Sequence, residues 1–486
     1  LSVTTVLYKD IAPGADEDAS VSTSEAMPFS APSKLPFGIT PEPTITCEPN
    51  HWGLAGDYVT VDTQEVAFWS VETSGDDCNF TNKPVITLEM DQQYSSVGIT
   101  LAFDTASGDY CPSVNIKWYQ GESLKADVNF TPNAATYFCN RKVQSYDKVV
   151  ITLGSTNLPN RRAKLEHIIF GVYRYFGMSE LRSASIINEM SLISTEMPIS
   201  TMNWTLDSRE DVDFMFQLKQ PVEVRNDDKL IGVYYIDSHT RQAQNLYTID
   251  CQDAFGVLDG SPFPGGVYNE KSAKSLLEEI VNGQFFVEYD SDVEDTALTG
   301  VITSGTIRTA IQQVLFAWGV CASTDGRDGI RVFNLPGTPD AITEDYTFTG
   351  VTVDTSALVT EVRVTAHVYT QAENGGVEIN GVKYDDAKTV YTITNPDVIA
   401  TDKQNVIEVA DATLVSPDIG QATAQRVYDY YAKRITTNAK IVWTGELLGD
   451  CVTLPTAWGA TNAGNLRRME VKLSNTVVAT VASLGG

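Results

Sequence analysis

The sequence predicts a mainly β protein with α+β parts, and three observations carry that expectation. Apolar and polar residues alternate over many short runs bounded by turn residues, the pattern of half-buried strands. Helical spacing of apolar residues appears only in a few short stretches, around 272–281, 306–318 and after Ser416. Finally, 486 residues with 42% hydrophobic and 20% charged content describe a globular chain of three or four domains, not a disordered one.

Residues 1–51 contain seven of the chain's 20 prolines, Pro13, Pro28, Pro32, Pro36, Pro41, Pro43 and Pro49. Proline fixes φ and removes a donor, so this stretch reads as an extended arm that becomes ordered on a neighbouring surface. Over 52–171 short strands follow at close spacing: Pro84 to Met90, Gly98 to Phe103, Val114 to Tyr119, Asp127 to Phe130, Thr136 to Phe138 and Lys148 to Leu153. Such spacing indicates a β-sandwich.

A second β region spans 172–260. Phe214, Phe216 and Leu218 alternate with polar neighbours, Val222 and Val224 do so after Pro221, and Leu230 to Ile236 is a β-branched and aromatic run. Asn226-Asp227-Asp228 between two such runs is a turn signal, so an antiparallel meander is the simplest reading. The region ends as Tyr247-Thr248-Ile249-Asp250-Cys251-Gln252-Asp253-Ala254-Phe255-Gly256, a strand running into a Gly-containing corner.

Ser261-Pro262-Phe263-Pro264-Gly265-Gly266 breaks regular structure and opens a small α+β unit over 261–345. Its helices are expected from Ser272 to Val281, stopped by Asn282-Gly283, and from Thr306 to Trp318, with Ile307, Ile311, Val314, Leu315 and Trp318 along one face. β character returns over 346–486. Val362, Val364, Ala366 and Val368 alternate, a run from Lys383 to Thr394 follows, and Ser416-Pro417-Asp418 caps a helix expected to reach Ile435. Strands close the chain between Arg468 and Ser483.

Charge narrows the function classes. With 34 Lys+Arg against 63 Asp+Glu the net is −29, which opposes stable binding to DNA or to an anionic bilayer. The same acidity also serves plain solubility. No stretch reaches the roughly 20 apolar residues of a transmembrane helix, and the N-terminus lacks the basic start and apolar block of a signal peptide. Leu1 is not an initiator Met, so the natural start can lie upstream. The seven cysteines never form a CxxC pair, which argues against structural zinc. Four of them precede residue 140, compatible either with a disulfide or with buried thiols.

Catalytic signatures are not seen. His51, His167, His239 and His367 are scattered without an HExxH or GxSxG context, and no phosphate-binding glycine loop follows a strand. Asp290-Ser291-Asp292-Val293-Glu294-Asp295 imitates the start of a calcium loop but has Asp295 where Gly is needed and Val301 where Glu is needed. No catalytic residue, metal ligand or cofactor is therefore expected, and the chain reads as a non-enzyme.

Two resemblances give these elements a context. Ser95 to Leu101, Asn115 to Tyr119 and Tyr146 to Thr152 resemble a discoidin-like or carbohydrate-binding-module jelly roll of tail proteins from phages and prophages of Gram-positive bacteria. That likeness makes Tyr119, Trp69 and Tyr137 candidates for stacking on sugar rings, with Trp118 assigned to the core. Its alternative is a structural decoration that props the arm or touches a neighbouring tail protein. The order of a Phe216-Gln217-Leu218-Lys219-Gln220-Pro221-Val222 strand, a Leu230 to Ile236 strand and a Tyr247 to Asp259 exit resembles the first tube domain of phage tail hub proteins. The run from Leu298 to Val320 with Asp328 to Leu335 resembles the α+β unit between the two tube domains of that family.

The resemblance implies two tail-tube-like β-barrel domains, 172–260 and 346–486, the latter with a packed helix. It also implies a homotrimer joining a sixfold tail tube to a threefold tip around a DNA exit channel, in a virion tail assembled in the host cytoplasm. The expected partners are tail tube or distal tail proteins and a tip or spike protein. A cell-surface glycan would be the partner if the sandwich is an adhesin.

Overall fold

The computed structural model describes residues 4–36, 45, 51–61, 66–208, 216–227, 229–473 and 477–485. It is mainly β with α+β parts. The chain divides into two compact units, a smaller one of Tyr8–Arg174 and a larger one of Leu1–Leu7 with Tyr175–Gly486. The first and last strands of the smaller segment, β1 (Thr4–Ile11) and β11 (Gly171–Phe176), carry the chain from one unit to the other.

In the smaller unit α1 (Ala15–Asp18) and β2 (Ser20–Thr23) lead to a hairpin of β3 (Trp52–Ala55) and β4 (Tyr58–Val61). The main sheet is built from β5 (Phe68–Thr73), β6 (Val85–Phe103), β7 (Ser113–Gln120), β8 (Ser123–Phe130), β9 (Thr136–Ser155) and β10 (Arg162–Ile169). Its order is β5-β10-β6-β9-β7-β8, with β2 pairing β6. Strands β6 and β9 are 19 and 20 residues long, and each covers two of the short strands expected from sequence.

The middle of β6 is polar but is not a turn: Asp91, Gln92 and Gln93 are exposed within the strand. There the β6–β9 register shifts three times between Glu89 and Gly98, and β-bulges of this kind bend a strand without ending it. One half of the sheet carries β2, β7 and β8, and the other carries β10 and β5. Both halves contribute to a single core that includes Ile86, Leu88, Ile99, Leu101, Ile116, Trp118, Ile151 and Leu165.

The Pro-rich stretch is packed on this same unit where it is described. β2 runs antiparallel to residues 86–89 of β6, the Met27 and Ala31 amides donate to the Trp69 and Ala67 carbonyls, and Leu35 is buried. Pro41, Pro43 and Pro49 lie outside the described residues.

The larger unit continues with β12 (Leu181–Glu189), β13 (Thr201–Asp207), β14 (Pro221–Asn226), β15 (Lys229–Arg241) and β16 (Leu246–Gln252), then α2 (Ala254–Asp259). Short strands β17 (Pro262–Phe263) and β18 (Gly266–Ser272) precede α3 (Ala273–Val281). After it come β19 (Val287–Tyr289), β20 (Ala297–Ile302), β21 (Gly305–Thr306) and α4 (Ile307–Trp318). Next are β22 (Cys321–Ser323), β23 (Ile330–Phe333), β24 (Asp340–Ala341), β25 (Thr352–Thr355), β26 (Glu361–Gln371), β27 (Val377–Ile379), β28 (Val382–Thr394) and β29 (Val406–Val409). The chain ends with α5 (Pro417–Ala432), β30 (Ile435–Val442), β31 (Cys451–Pro455), β32 (Thr461–Leu473) and β33 (Val478–Gly485).

Within this unit the long sheet runs β14-β15-β16-β13-β12-β32-β33-β30-β25. The two strand groups that the sequence places in separate tube-like regions are thus joined edge to edge, Ala184 to Glu189 of β12 against Leu473 to Arg468 of β32. The meander is present, with Asn226 opposite Lys229 across the turn; Asp228 lies outside the described residues. The alternation of Phe214, Phe216 and Leu218 does not produce a described strand. Phe214 lies outside the described residues, Leu218 is exposed, and Lys219 has a φ of 65°. Phe216 is instead buried from a loop, against Phe176, Trp204 and Tyr247.

Helix starts and stops follow local chemistry. Ser272 and Thr306 cap α3 and α4 by accepting from the Ser275 and Thr309 amides, and Asn282 and Gly319 end them in the left-handed region. α5 starts at Pro417 as expected but stops at Ala432, three residues before Ile435. It packs against β26 and β28. Val362, Val364, Ala366, Ala424 and Val427 then share one core with Leu276, Ile311 and Val314 of α3 and α4. The β27-β28-β26-β29 sheet and α5 accordingly extend the α+β core, whereas β30 to β33 belong to the long sheet. Alternation identifies a buried strand face but does not say which sheet it joins.

Candidate functional site

Several polar and charged side chains are buried in both units. In the smaller unit His51, Asp104, Asp109 and Lys164 converge, all at most 5% exposed. Lys164 Nζ lies 2.7 Å from His51 Nε2, 3.3 Å from Asp104 Oδ2 and 3.0 Å from Asp109 Oδ2. The His51 Nε2 to Asp104 Oδ2 distance is 3.0 Å. The ammonium thus lies within hydrogen-bond reach of a histidine nitrogen and two carboxylates. Burial pushes the Asp104 carboxyl up, but its hydrogen bonds with His51 and Ser107 and the Lys164 charge outweigh this and hold it well below the usual carboxylate range.

His51, Asp104 and Asp109 offer the donor set of a metal site. The place of the cation is taken by the chain's own lysine. Trp69 closes the cluster, 5.2 Å from Lys164 Nζ and 5.6 Å from the His51 ring. A cluster so enclosed fastens the segment before β3 and the Asp104–Asp109 loop to β10; it presents nothing to a substrate. Sequence reading missed it because its members are spread over 114 positions, from 51 to 164, without a motif.

The corner after β16 behaves similarly. Asp253 caps α2 by accepting from the Gly256 amide at 3.1 Å, and Thr324 Oγ1 donates to its other oxygen at 2.9 Å. Burial pushes its carboxyl up to about 6 against these bonds. Asp325, raised chiefly by burial, accepts from Ser323 Oγ and, at 2.6 Å, from the Leu448 amide. These buried carboxylates anchor turns.

Of the remaining histidines, His367 does not face a nucleophile. His367 Nδ1 faces Asp386 at 3.0 Å, but its Nε2 faces the Ala410 carbonyl at 3.0 Å instead of a hydroxyl or thiol. His239 lies 5.8 Å from the Phe216 ring. The calcium-like run is also engaged: Asp290 takes a two-pronged contact from Arg331 at 2.8 and 2.6 Å, and Asp295 accepts from Ser272 and from the Lys274 amide at the start of α3. Six described cysteines are free thiols; Cys47 lies outside the described residues.

The expected sugar-stacking trio is not brought together on one strand pair. Trp69 of β5 is fully buried, so its faces are occupied by the protein itself. Tyr119 and Tyr137 are half-buried, on β7 and on the opposite half of β9. Trp118 is fully buried, as its place in the Ile116-Trp118 row implies.

Sequence reading missed an open groove of about 460 Å³ between β8 and β9, lined by Lys125, Ala126, Arg141, Lys142, Val143 and Gln144. Its only sequence signal was the Arg141-Lys142 doublet within an acidic chain.

No protein family and no curated protein matches the chain. Among solved structures it is similar to a tail protein from Neisseria meningitidis, with 12% identity over 64% of this chain and 93% of that one, TM-score 0.47. It is also similar to the 43 kDa tail protein of prophage MuSo2 from Shewanella oneidensis, with 11% identity over 64% and 95%, TM-score 0.44. A prophage tail protein from Listeria monocytogenes gives 12% identity over 64% and 91%, TM-score 0.42. At these identities and scores the likeness carries no functional argument.

Proposed function

We propose that the chain is a structural, non-enzymatic hub of a phage tail tip or baseplate, or of a phage-like particle. In this reading three copies form a ring that joins a sixfold tail tube to a threefold tip and encloses the DNA exit channel. The sequence resemblance in the larger unit supplies the class. The observation that carries the reading beyond it is the joining of β12 to β32. Each chain thereby offers two strand groups in one sheet, and three chains offer six groups to a sixfold neighbour.

Among the described residues β25, at the end of that sheet, pairs only with β30. A free strand edge is an assembly device when a neighbouring chain covers it and an aggregation hazard otherwise. Acidity suits the same role. Three copies carry 3 × −29 = −87 formal charges, and an acidic lumen repels duplex DNA and prevents it from sticking. Tail tube, distal tail and tip or spike proteins are the partners this reading names, and the virion tail is its place. Imaging the purified assembly tests it: a threefold ring with a continuous channel is expected, and a strictly monomeric subunit in the assembled tail overturns it.

A second reading makes the smaller unit a carbohydrate-binding adhesin. Tyr119 and Tyr137 keep partial exposure for it, and the cationic groove adds polar contacts.

A further inference from the structure

We infer that the groove between β8 and β9 binds an anionic glycan, a sugar or polyol polymer bearing phosphate or carboxylate groups. The inference deepens the glycan-binding reading, on which it rests for the ligand class, and is independent of the hub reading. Its carrying observation is that two β-bulges deliver all three cations.

Gly98 of β6 pairs with Asn140 of β9, and Ser96 pairs with Val143. Two residues of β9, Arg141 and Lys142, therefore oppose Val97 alone. On β8 the same thing happens once more: Trp118 pairs with Ala126 and the adjacent Tyr119 with Leu124, which leaves Lys125 without an opposite residue. Bulges re-aim side chains that strict alternation would send to opposite faces. Here both place cations on the groove.

The chemistry of the lining fits a charged sugar. Lys125 Nζ is held at 3.0 Å by Gln120 Oε1, and Gln120 Nε2 donates to Gln93 Oε1 at 2.9 Å. Side-chain amides of this kind exchange readily with hydroxyls. Ala126 and Val143, both buried, complete the lining. No carboxylate lines the groove, and among the described residues none forms an ion pair with Lys125, Arg141 or Lys142. Asp10 feels the Lys142 charge, although burial dominates that carboxyl.

Cations left unpaired on a protein of net charge −29 focus local positive potential where anions are otherwise repelled. Duplex DNA is disfavoured as the occupant, because three cations are too few to offset the repulsion of its phosphate rows by the rest of the surface.

The test uses the full chain and surfaces coated with poly(glycerol phosphate), polygalacturonate, neutral dextran or duplex DNA. Binding to one or both anionic polymers is expected, weakening as salt rises. The preferred polymer distinguishes phosphate from carboxylate recognition. The Lys125→Ala/Arg141→Ala/Lys142→Ala variant should lose about tenfold or more in affinity, while Arg141→Lys retains binding. DNA should bind at least about tenfold more weakly than the preferred glycan. All three replaced side chains are exposed; should the triple variant fail to fold, the charge reversal Lys142→Glu replaces it and should also weaken binding. The inference is overturned if neither anionic polymer binds, if the triple variant (or, in its place, Lys142→Glu) binds unchanged, or if DNA binds equally well. Binding of dextran that is lost in Tyr119→Ala and unchanged in the triple variant removes the groove but keeps the glycan reading. No binding to any glycan removes both.

Discussion

The buried charges show what single residues contribute. Lys164 sits between two carboxylates in a place closed to solvent, and taking one partner from a buried charge set leaves the others uncompensated. Lys164→Met should therefore cost about 3–5 kcal/mol, read as a lower midpoint in urea unfolding of the smaller unit's transition. An unchanged midpoint would mean that the cluster does not hold the unit together. Asp253 provides a pH test. Its folded pKa of about 6 lies above the unfolded value of about 3.9, so the folded state retains a proton that the unfolded state has lost. Its contribution is complete below about pH 4 and falls by roughly 3 kcal/mol as pH rises through 6. Asp253→Asn keeps a capping oxygen and removes the ionisation. Relative to the parent it should become progressively more stable between pH 4 and 7, and a constant difference across that range would contradict the assignment. From sequence, the corner at Asp253 was legible as the place where a strand ends. The Lys164 cluster was not, since burial of polar groups depends on contacts between residues far apart in the chain. Trp69 misled for a related reason: an aromatic in a strand has the same local signature whether it faces a ligand or the core.

Among the elements, helices were the most legible because their ends are written locally. Ser272, Thr306 and Ser416 stand at the starts of α3, α4 and α5, and Asn282 and Gly319 stand after α3 and α4. Thr306→Ala removes the side-chain half of a capping box and should cost about 1 kcal/mol, measured by chemical unfolding. Long strands were harder. β6 and β9 each read as two strands because their polar middles resemble turns, while the bulges that let them continue are set by pairing between strands. Gly98 lies at that bend, and a Cβ there would press into the Cys139 carbonyl oxygen and the Phe138 ring. Gly98→Ala should lower the melting temperature of the smaller unit by several degrees, as about 1–3 kcal/mol of overpacking implies; an unchanged melt would show that the strand can bend elsewhere. The β26 to β29 sheet gives the same lesson in another form, since its clean alternation did not reveal that it completes the core of α3, α4 and α5.

For the whole molecule, the mainly β character with α+β parts was legible, but the connection between its strand groups was not. Pairing of β12 with β32 joins residues near 185 to residues near 470, a contact that no local pattern encodes and that depends on the closing of the entire larger unit. It also gives the hub reading its most specific physical content, two strand groups per chain in one sheet, with the β25 edge left open among the described residues. Single-particle imaging of the purified particle, at a resolution that counts subunits at the tail tip, tests this most directly. The hub reading predicts three copies in a closed ring, their long sheets lining a continuous channel. A monomeric subunit, or a ring in which those sheets face away from the channel, would contradict it.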